Sequence, residues 1–209
     1  MSKGYAIAAV GVLGAVLAGT VASVIFFGAN SDDQFAQCRG SQVGGGAIGG
    51  PFELVDETGQ SVTHEDVITG PTLIYFGYTF CPDACPLDNV RNAQAIEILE
   101  SQGIDEVQPV FITIDPERDD VETVRAFTDN FHDRMLGLTG SQEQIDAVTS
   151  AYRVIANKQD TGDEFYLVDH TTMTYLMHPE EGLLEFYRRD TSPERMAESL
   201  ACFVEADVS

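Results

Sequence analysis

The chain has 209 residues, enough for one domain and an appendage. Its 11 basic and 34 acidic residues give a formal charge of −23, which argues against a nucleic-acid partner, since the phosphate backbone needs a basic face. Apolar residues make up 44% and fall in discrete runs, so the charge does not signal disorder and a real core is expected.

From Gly4 to Ser31 no residue is charged. As a helix such a run extends roughly 42 Å, longer than the roughly 30 Å hydrocarbon core of a bilayer and than the apolar stretch of a cleaved signal peptide. Residues 1–29 are therefore read as an uncleaved transmembrane signal anchor. Lys3 before the span, with Asp32 and Asp33 after it, orients the N-terminus to the cytoplasm. The segment before the span is too short and too poor in arginine for an organelle transit peptide. This predicts a single-pass protein of a bacterial inner membrane with its body in the periplasm. Gly11, Ala15 and Gly19 form a stripe of small residues, consistent either with a homodimer through the transmembrane helix or with a span simply rich in small residues.

Residues 30–50 read as a Gly-rich tether, with six glycines between Gly40 and Gly50. A flexible chain of that length spans on the order of 25 Å. The folded domain is expected over 51–209. FELVDETGQSVT (52–63) reads as two short strands around a turn. TLIYFGY (72–78) and VQPVFITID (107–115) suit strands buried on both faces. Between them DNVRNAQAIEILESQG (88–103) is a helix, with Val90, Ala93, Ile96 and Leu99 about one turn apart and Gly103 as its cap. Asp120–Phe131 is a second helix, MLGLTG (135–140) a short strand, and SQEQIDAVTSAY (141–152) a helix with a capping-box start. Residues 165–189 read as an antiparallel hairpin turning at Pro179–Gly182, and 192–206 as a closing helix started by Ser192 and Pro193. The order predicts an α/β fold with a mixed, thioredoxin-like sheet flanked by helices.

Four cysteines are present: Cys38, Cys81, Cys85 and Cys202. Cys202 reads as a small buried hydrophobe of the last helix. Cys38 falls in the tether, and the sequence leaves it free, oxidised or intermolecular. Cys81 and Cys85 stand where a buried strand ends and a helix begins, the edge where open α/β sheets bind ligands and where helix N–H groups favour thiolates. Pro86 predicts a separate turn over 82–85, with the helix starting near Pro86. Helical i,i+4 side chains have Cβ atoms about 5–6 Å apart against about 3.8 Å in a disulfide, so the spacing permits a disulfide but is more relaxed around a metal ion. A metal needs a further donor. His64, His132 and His178 read as solvated surface residues. His170 lies just before a buried strand, where a thioredoxin-type reductase carries a cis-proline, and no proline occurs between Pro116 and Pro179. Two thiolates and an imidazole suit soft copper(I) and can hold copper(II) with an added weak ligand.

YFGYTFCPDACP (75–86), FITIDPERDD (111–120), LGLTG (136–140) and YLVDHTTMTYLMHPEEG (166–182) together resemble the Sco/SenC (PrrC-like) family of copper-binding assembly factors for cytochrome c oxidase. The resemblance runs from about Pro51 to the last helix. It implies copper ligands at Cys81, Cys85 and His170. Many relatives carry a histidine where this chain has Phe80, a position not counted as a ligand, and aspartate where it has His178. The implied role is maturation of the CuA centre of cytochrome c oxidase subunit II, by copper delivery, by reduction of the client cysteines, or by both, with subunit II and other copper chaperones as partners. Asp115 and Asp169 lie in the shared motifs and are expected to tune the site or its docking surface. The alternative is a periplasmic thiol–disulfide reductase or redox sensor using Cys81 and Cys85 without metal. A peroxiredoxin-like peroxidase fits poorly, because Thr79 stands two residues before Cys81 rather than three.

Overall fold

The computed structural model describes residues 34–40, 48–159 and 165–208. The span expected over 1–29 and the middle of the Gly-rich stretch, 41–47, lie outside them. Among the described residues no helix is long and apolar enough to cross a membrane. The chain divides into a unit ending at Gln34 and a unit from Phe35 to Ser209, which contains the sheet.

Strands β1 (Glu53–Asp56) and β2 (Ser61–Thr63) form a hairpin, followed by a single helical turn, α1 (His64–Val67). Then come β3 (Thr72–Gly77), α2 (Ala84–Ser101), β4 (Gln108–Thr113), α3 (Val121–Thr128), β5 (Leu136–Thr139) and α4 (Gln142–Ala151). The chain closes with β6 (Ala156–Lys158), β7 (Val168–His170), β8 (Thr174–His178), β9 (Gly182–Tyr187) and α5 (Pro193–Asp207). Seven strands make one sheet in the order β2-β1-β5-β4-β3-β8-β9. Its centre, β5-β4-β3, is parallel, and β1 and β8 join it antiparallel from either side. This is the expected mixed α/β sheet of thioredoxin-like form.

Why β3 and β4 sit centrally follows from their side chains. All six residues of β3 are buried, and so is β4 from Pro109 onward. Such runs need cover on both faces. Leu73 packs with Ile96 of α2 and Leu200 of α5 on one face, while Phe76 points to the other, 5.2 Å ring to ring from Tyr152 at the end of α4. Caps mark the helix starts as expected: Ser141 and Gln144 form a capping box, and Ser192 with Pro193 opens α5. Gly103 ends α2 at φ 83°, a left-handed position that suits glycine.

Several expectations change. Residues 165–189 are not one hairpin: β7 pairs with β6 in a separate two-stranded sheet, and only β8 and β9 form the hairpin. β6 is exposed at all three residues and has no apolar alternation to reveal it. His178 is not a solvated surface residue. It is 7% exposed, its Nδ1 accepts the N–H groups of Glu180 and Glu181, and its Nε2 stands 3.0 Å from Asp207 Oδ1. It fastens the β8–β9 turn to the end of α5.

The largest change concerns the tether and Cys202. Cys38 and Cys202 form a disulfide, 164 residues apart in sequence. Phe35 is 1% exposed, its ring 5.8 Å from that of Phe203. On the far side of 41–47, Gly49 N–H donates to the Ala151 carbonyl at 3.0 Å. The folded unit thus begins at Phe35 rather than near Pro51, and part of the Gly-rich stretch is fastened to it. Glycine content reads as flexibility, whereas one aromatic residue and one cysteine decide the outcome through partners far along the chain. Closing so long a loop is worth about 5 kcal/mol in the chain-entropy model, with measured values commonly about 2–5 kcal/mol. Cys202→Ser is expected to lower the unfolding free energy by that range in urea titration, and a strong reductant should do the same to the parent but not to the variant.

Candidate metal centre

The buried strand β3 delivers the chain to the cysteine turn. Cys81 N–H donates to the Tyr78 carbonyl at 3.3 Å, closing a tight turn directly after the strand. α2 then starts at Ala84 with Asp83 as its N-cap, two residues earlier than Pro86 suggested. The reason is local. Pro86 is the third helical residue, where a backbone N–H would have no intrahelical partner in any case, so its missing donor costs nothing. Cys85 is therefore the second residue of a helix of 18 residues, at the positive end of its dipole.

Cys85 is fully buried and Cys81 is partly exposed, and neither is in a disulfide. Cys85 N–H points at Cys81 Sγ at 3.3 Å. His170, on β7, brings its Nε2 to 3.3 Å from Cys85 Sγ. The sulfur atoms and a nitrogen of His170 all lie within 4.8 Å of one another, and among the described residues these three side chains form the single such group of potential metal ligands. The opposite ring nitrogen, Nδ1, lies 2.9 Å from the Thr171 carbonyl. A carbonyl can only accept, so Nδ1 carries a hydrogen, which leaves Nε2 as the ring nitrogen facing the sulfurs. The fold thus brings together the three residues singled out in the sequence. His64, His132 and His178 are elsewhere. His132 stands 3.4 Å from Glu100, and His64 faces Phe52 at 6.0 Å.

The two sulfurs are unequal. The Cys81 thiol is held well below the usual cysteine range, first by the hydrogen bond from Cys85, against partial burial, and then by His170 and the N–H groups of Cys85 and Asp83. The Cys85 thiol is pushed up, first by that same bond to Cys81 and then by burial. One proton is shared, and it stays on the buried sulfur.

Sequence reasoning missed the residues that build this arrangement. Gly77 is one. A Cβ there would stand 2.9 Å from Cys85 Sγ, 2.9 Å from Tyr75 Cε1 and 3.1 Å from Phe111 Cε2, so only glycine lets the sulfur lie against the strand. A glycine inside a strand pattern is the sequence signal of such close approach. Asp119 is another. It is fully buried, and it accepts from Thr79 N–H at 2.9 Å, Thr79 Oγ1 at 2.5 Å and Thr113 Oγ1 at 2.6 Å. It pins the start of the cysteine loop to the end of β4 and leaves the Thr79 hydroxyl donating away from Cys81. The first turns of α2 also differ from expectation. Val90 is 44% exposed, while Asp88, Asn89, Arg91 and Asn92 are buried. Tyr75 OH donates to Asp88 at 3.0 Å, Asn89 Nδ2 to the Cys85 carbonyl at 2.8 Å, and Arg91 to Thr174 Oγ1 at 2.8 Å and the Arg188 carbonyl at 2.8 Å. This polar layer, not an apolar stripe, supports the helix beneath the cysteines.

Because Cys81 holds its thiolate form to low pH, its alkylation by iodoacetamide in the reduced protein is expected to stay nearly flat from about pH 8 to about pH 6, where an ordinary cysteine of pKa about 8.5 slows roughly a hundredfold. Mass spectrometry should find the label on Cys81 and not on Cys85.

A model of the SCO1/SenC family matches residues 40–205. The chain is 48% identical over 201 residues to protein SenC of Rhodobacter capsulatus, covering 92% of this chain and 90% of that protein. It is 42% identical over 163 residues to the mitochondrial SCO1 homolog 1 of Arabidopsis thaliana, covering 78% of this chain and 48% of that protein, so it spans about half the length of the plant relative. The solved structure of Arabidopsis thaliana ScoI with copper bound superposes with a TM-score of 0.70 at 40% identity, covering 76% of this chain and 99% of that one. A family match across most of the chain, over a strand, turn and helix that assemble two cysteines and a histidine, leads to one conclusion: the chain belongs to the SCO1/SenC family.

Proposed function

We propose that the protein binds copper through Cys81, Cys85 and His170 and serves the maturation of the CuA centre of cytochrome c oxidase subunit II. The carrying observation is the donor set itself: two sulfurs and an imidazole nitrogen within 4.8 Å, with the Thr171 carbonyl engaging Nδ1 so that Nε2 faces the sulfurs. Three donors of this softness suit copper(I), and copper(II) with one added weak ligand. A structural zinc ion would call for a fourth protein ligand, and none joins the group among the described residues. The Thr171 carbonyl, 2.9 Å from Nδ1, orients the His170 ring as such acceptors do for ligating histidines generally. A relative solved with copper bound supports the same reading.

The same residues support thiol chemistry in the apo state. A partly exposed thiolate at Cys81 with a buried thiol behind it is an attacking and resolving pair, and oxidation to a disulfide removes two copper donors at once. Copper delivery to subunit II and reduction of its cysteines are thus two uses of one site, in exchange with other copper chaperones. Anchoring by residues 1–29 to a bacterial inner membrane, with the domain in the periplasm, is part of this proposal. The Cys38–Cys202 disulfide favours an oxidising compartment. The stripe at Gly11, Ala15 and Gly19 offers a route to a homodimer through the anchor.

Anaerobic titration of the reduced protein is expected to load about one copper(I) per chain, with a thiolate charge-transfer band and, for copper(II), nitrogen hyperfine structure in EPR. His170→Ala should weaken copper binding by about 10-fold or more and remove the nitrogen signal while leaving exchange with a model disulfide intact. A His170→Ala variant that binds copper as tightly as the parent sinks the ligand assignment, and failure of the parent to bind through thiolate leaves only the reductase function.

A further inference from the structure

For three donors to meet, the loop carrying the cysteines must be held against the strand carrying His170. One side chain that touches none of the donors bridges both. Arg118 lies in the turn after β4. Its guanidinium stands 5.0 Å from the Phe80 ring and 5.7 Å from the Tyr78 ring, both in the cysteine loop. On the other side it lies 3.7 Å from the ring of Tyr166, four residues before His170, and its Nη1 donates to the Tyr166 carbonyl at 3.0 Å. Its own position is fixed by Asp115, whose Oδ2 accepts from Arg118 Nε at 2.5 Å and whose Oδ1 accepts from Tyr166 OH at 2.6 Å. The Asp115 side chain is 5% exposed and that of Arg118 21%, so this pair is sheltered, unlike the surface ion pairs that contribute little. Lys158, the last residue of β6, stands 3.7 Å from the Tyr166 ring and ion-pairs with Glu117 at 2.7 Å. Beside the arginine, Tyr78 OH accepts the N–H of Val168 at 3.2 Å. A planar guanidinium can stack on aromatic faces while its edge donates in a fixed fork to a carboxylate and a carbonyl; a lysine ammonium is a point charge without that fork.

We propose that Arg118 is the positioning residue of the metal site, which sets His170 against Cys81 and Cys85 by clamping the chain entering β7 to the cysteine loop. The role rests on the copper-binding function proposed above, and it is distinct from ligation. Asp115 is the anchor of the clamp and Tyr166 the side it grips. Without Arg118 the two cysteines keep their place, because Gly77, Asp119 and the start of α2 hold them, whereas the imidazole loses its registration.

The test is a double-mutant cycle on the reduced protein, read by copper(I) affinity and by EPR of the copper(II) form. Arg118→Ala is expected to weaken copper(I) binding on the order of tenfold, in the range seen for outer-shell residues, and to broaden the nitrogen hyperfine lines. In the Arg118→Ala/His170→Ala double variant the Arg118 effect should vanish, leaving affinity within about twofold of His170→Ala alone, because the arginine acts only through the imidazole. Arg118→Lys, which keeps the charge but not the fork, should recover only part of the loss. If His170→Ala is itself silent, the ligand assignment fails and the clamp fails with it. If His170→Ala weakens binding but Arg118→Ala matches the parent, or if the two losses multiply in the double variant, the clamp is wrong and the ligands stand. Should Arg118→Ala not fold by circular dichroism, Arg118→Lys and Tyr166→Phe carry the same cycle. Smaller losses that disappear in the His170→Ala background support the clamp, and losses that persist there overturn it.

Discussion

The antiparallel pairing of β3 with β8 is the constraint on which the site depends. Tyr75 lies opposite Thr174, near the C-terminal end of β3 and at the start of β8. That register puts the turn after β3 and the segment before β8 at one edge of the sheet. The cysteines occupy the first and His170 the second, so residues 85 positions apart reach 3.3 Å. Because side chains alternate along a strand, a slip of one residue would move Tyr75 to the opposite face and carry Cys85 and its support away from the imidazole. Such a slip would leave Asp88 without the Tyr75 hydroxyl and put a side chain where Gly77 admits the Cys85 sulfur, so the register is held by these specific contacts.

Around that pairing the protein places polar groups where a generic core would be apolar. Asp88, Arg91 and Asn92 are buried with hydrogen bonds to Tyr75, Thr174 and the backbone of Arg188. Asp119 is buried between Thr79, Thr113 and the end of β4, and burial raises its pKa above the ordinary carboxyl value. Buried polar groups are costly unless paired and rigid when fully paired. Both layers lie directly under the cysteine loop, so the rigidity is concentrated where two sulfurs and a nitrogen must hold a geometry. The local departure from amphipathic patterning in α2 is the kind of inconsistency that marks a functional site.

The four cysteines divide into two pairs with opposite demands. Cys38 and Cys202 are joined, and they close a long loop between the start of the folded unit and its last helix. Cys81 and Cys85 are apart, one partly open to solvent, one backed by Gly77 and Tyr75. The proposed copper site needs the second pair reduced, whereas the first pair is closed as a disulfide. The distinction is built from environment: thiolate character and access at Cys81, covalent closure and burial at Cys38.

The sequence by itself determined the mixed α/β sheet, most helix starts and the place of the Cys81 and Cys85 pair. These follow from local patterns, such as an apolar run, a capping serine, a glycine at the end of α2, or a cysteine turn after a buried strand. It also pointed to His170, through its place before a buried strand. What it could not determine depends on partners distant in the chain. Cys38 looked like part of a tether until Cys202 met it. Residues 165–189 looked like one hairpin until the exposed β6 paired with His170. Val90 looked buried, because periodicity cannot tell that the cover over the start of α2 is a tyrosine hydroxyl and an arginine. Arg118 stands in one of the motifs that carry the family resemblance, but its neighbours along the chain do not mark its role. Its role exists only because the turn after β4 rises between the cysteine loop and Tyr166, a placement that tertiary packing alone decides.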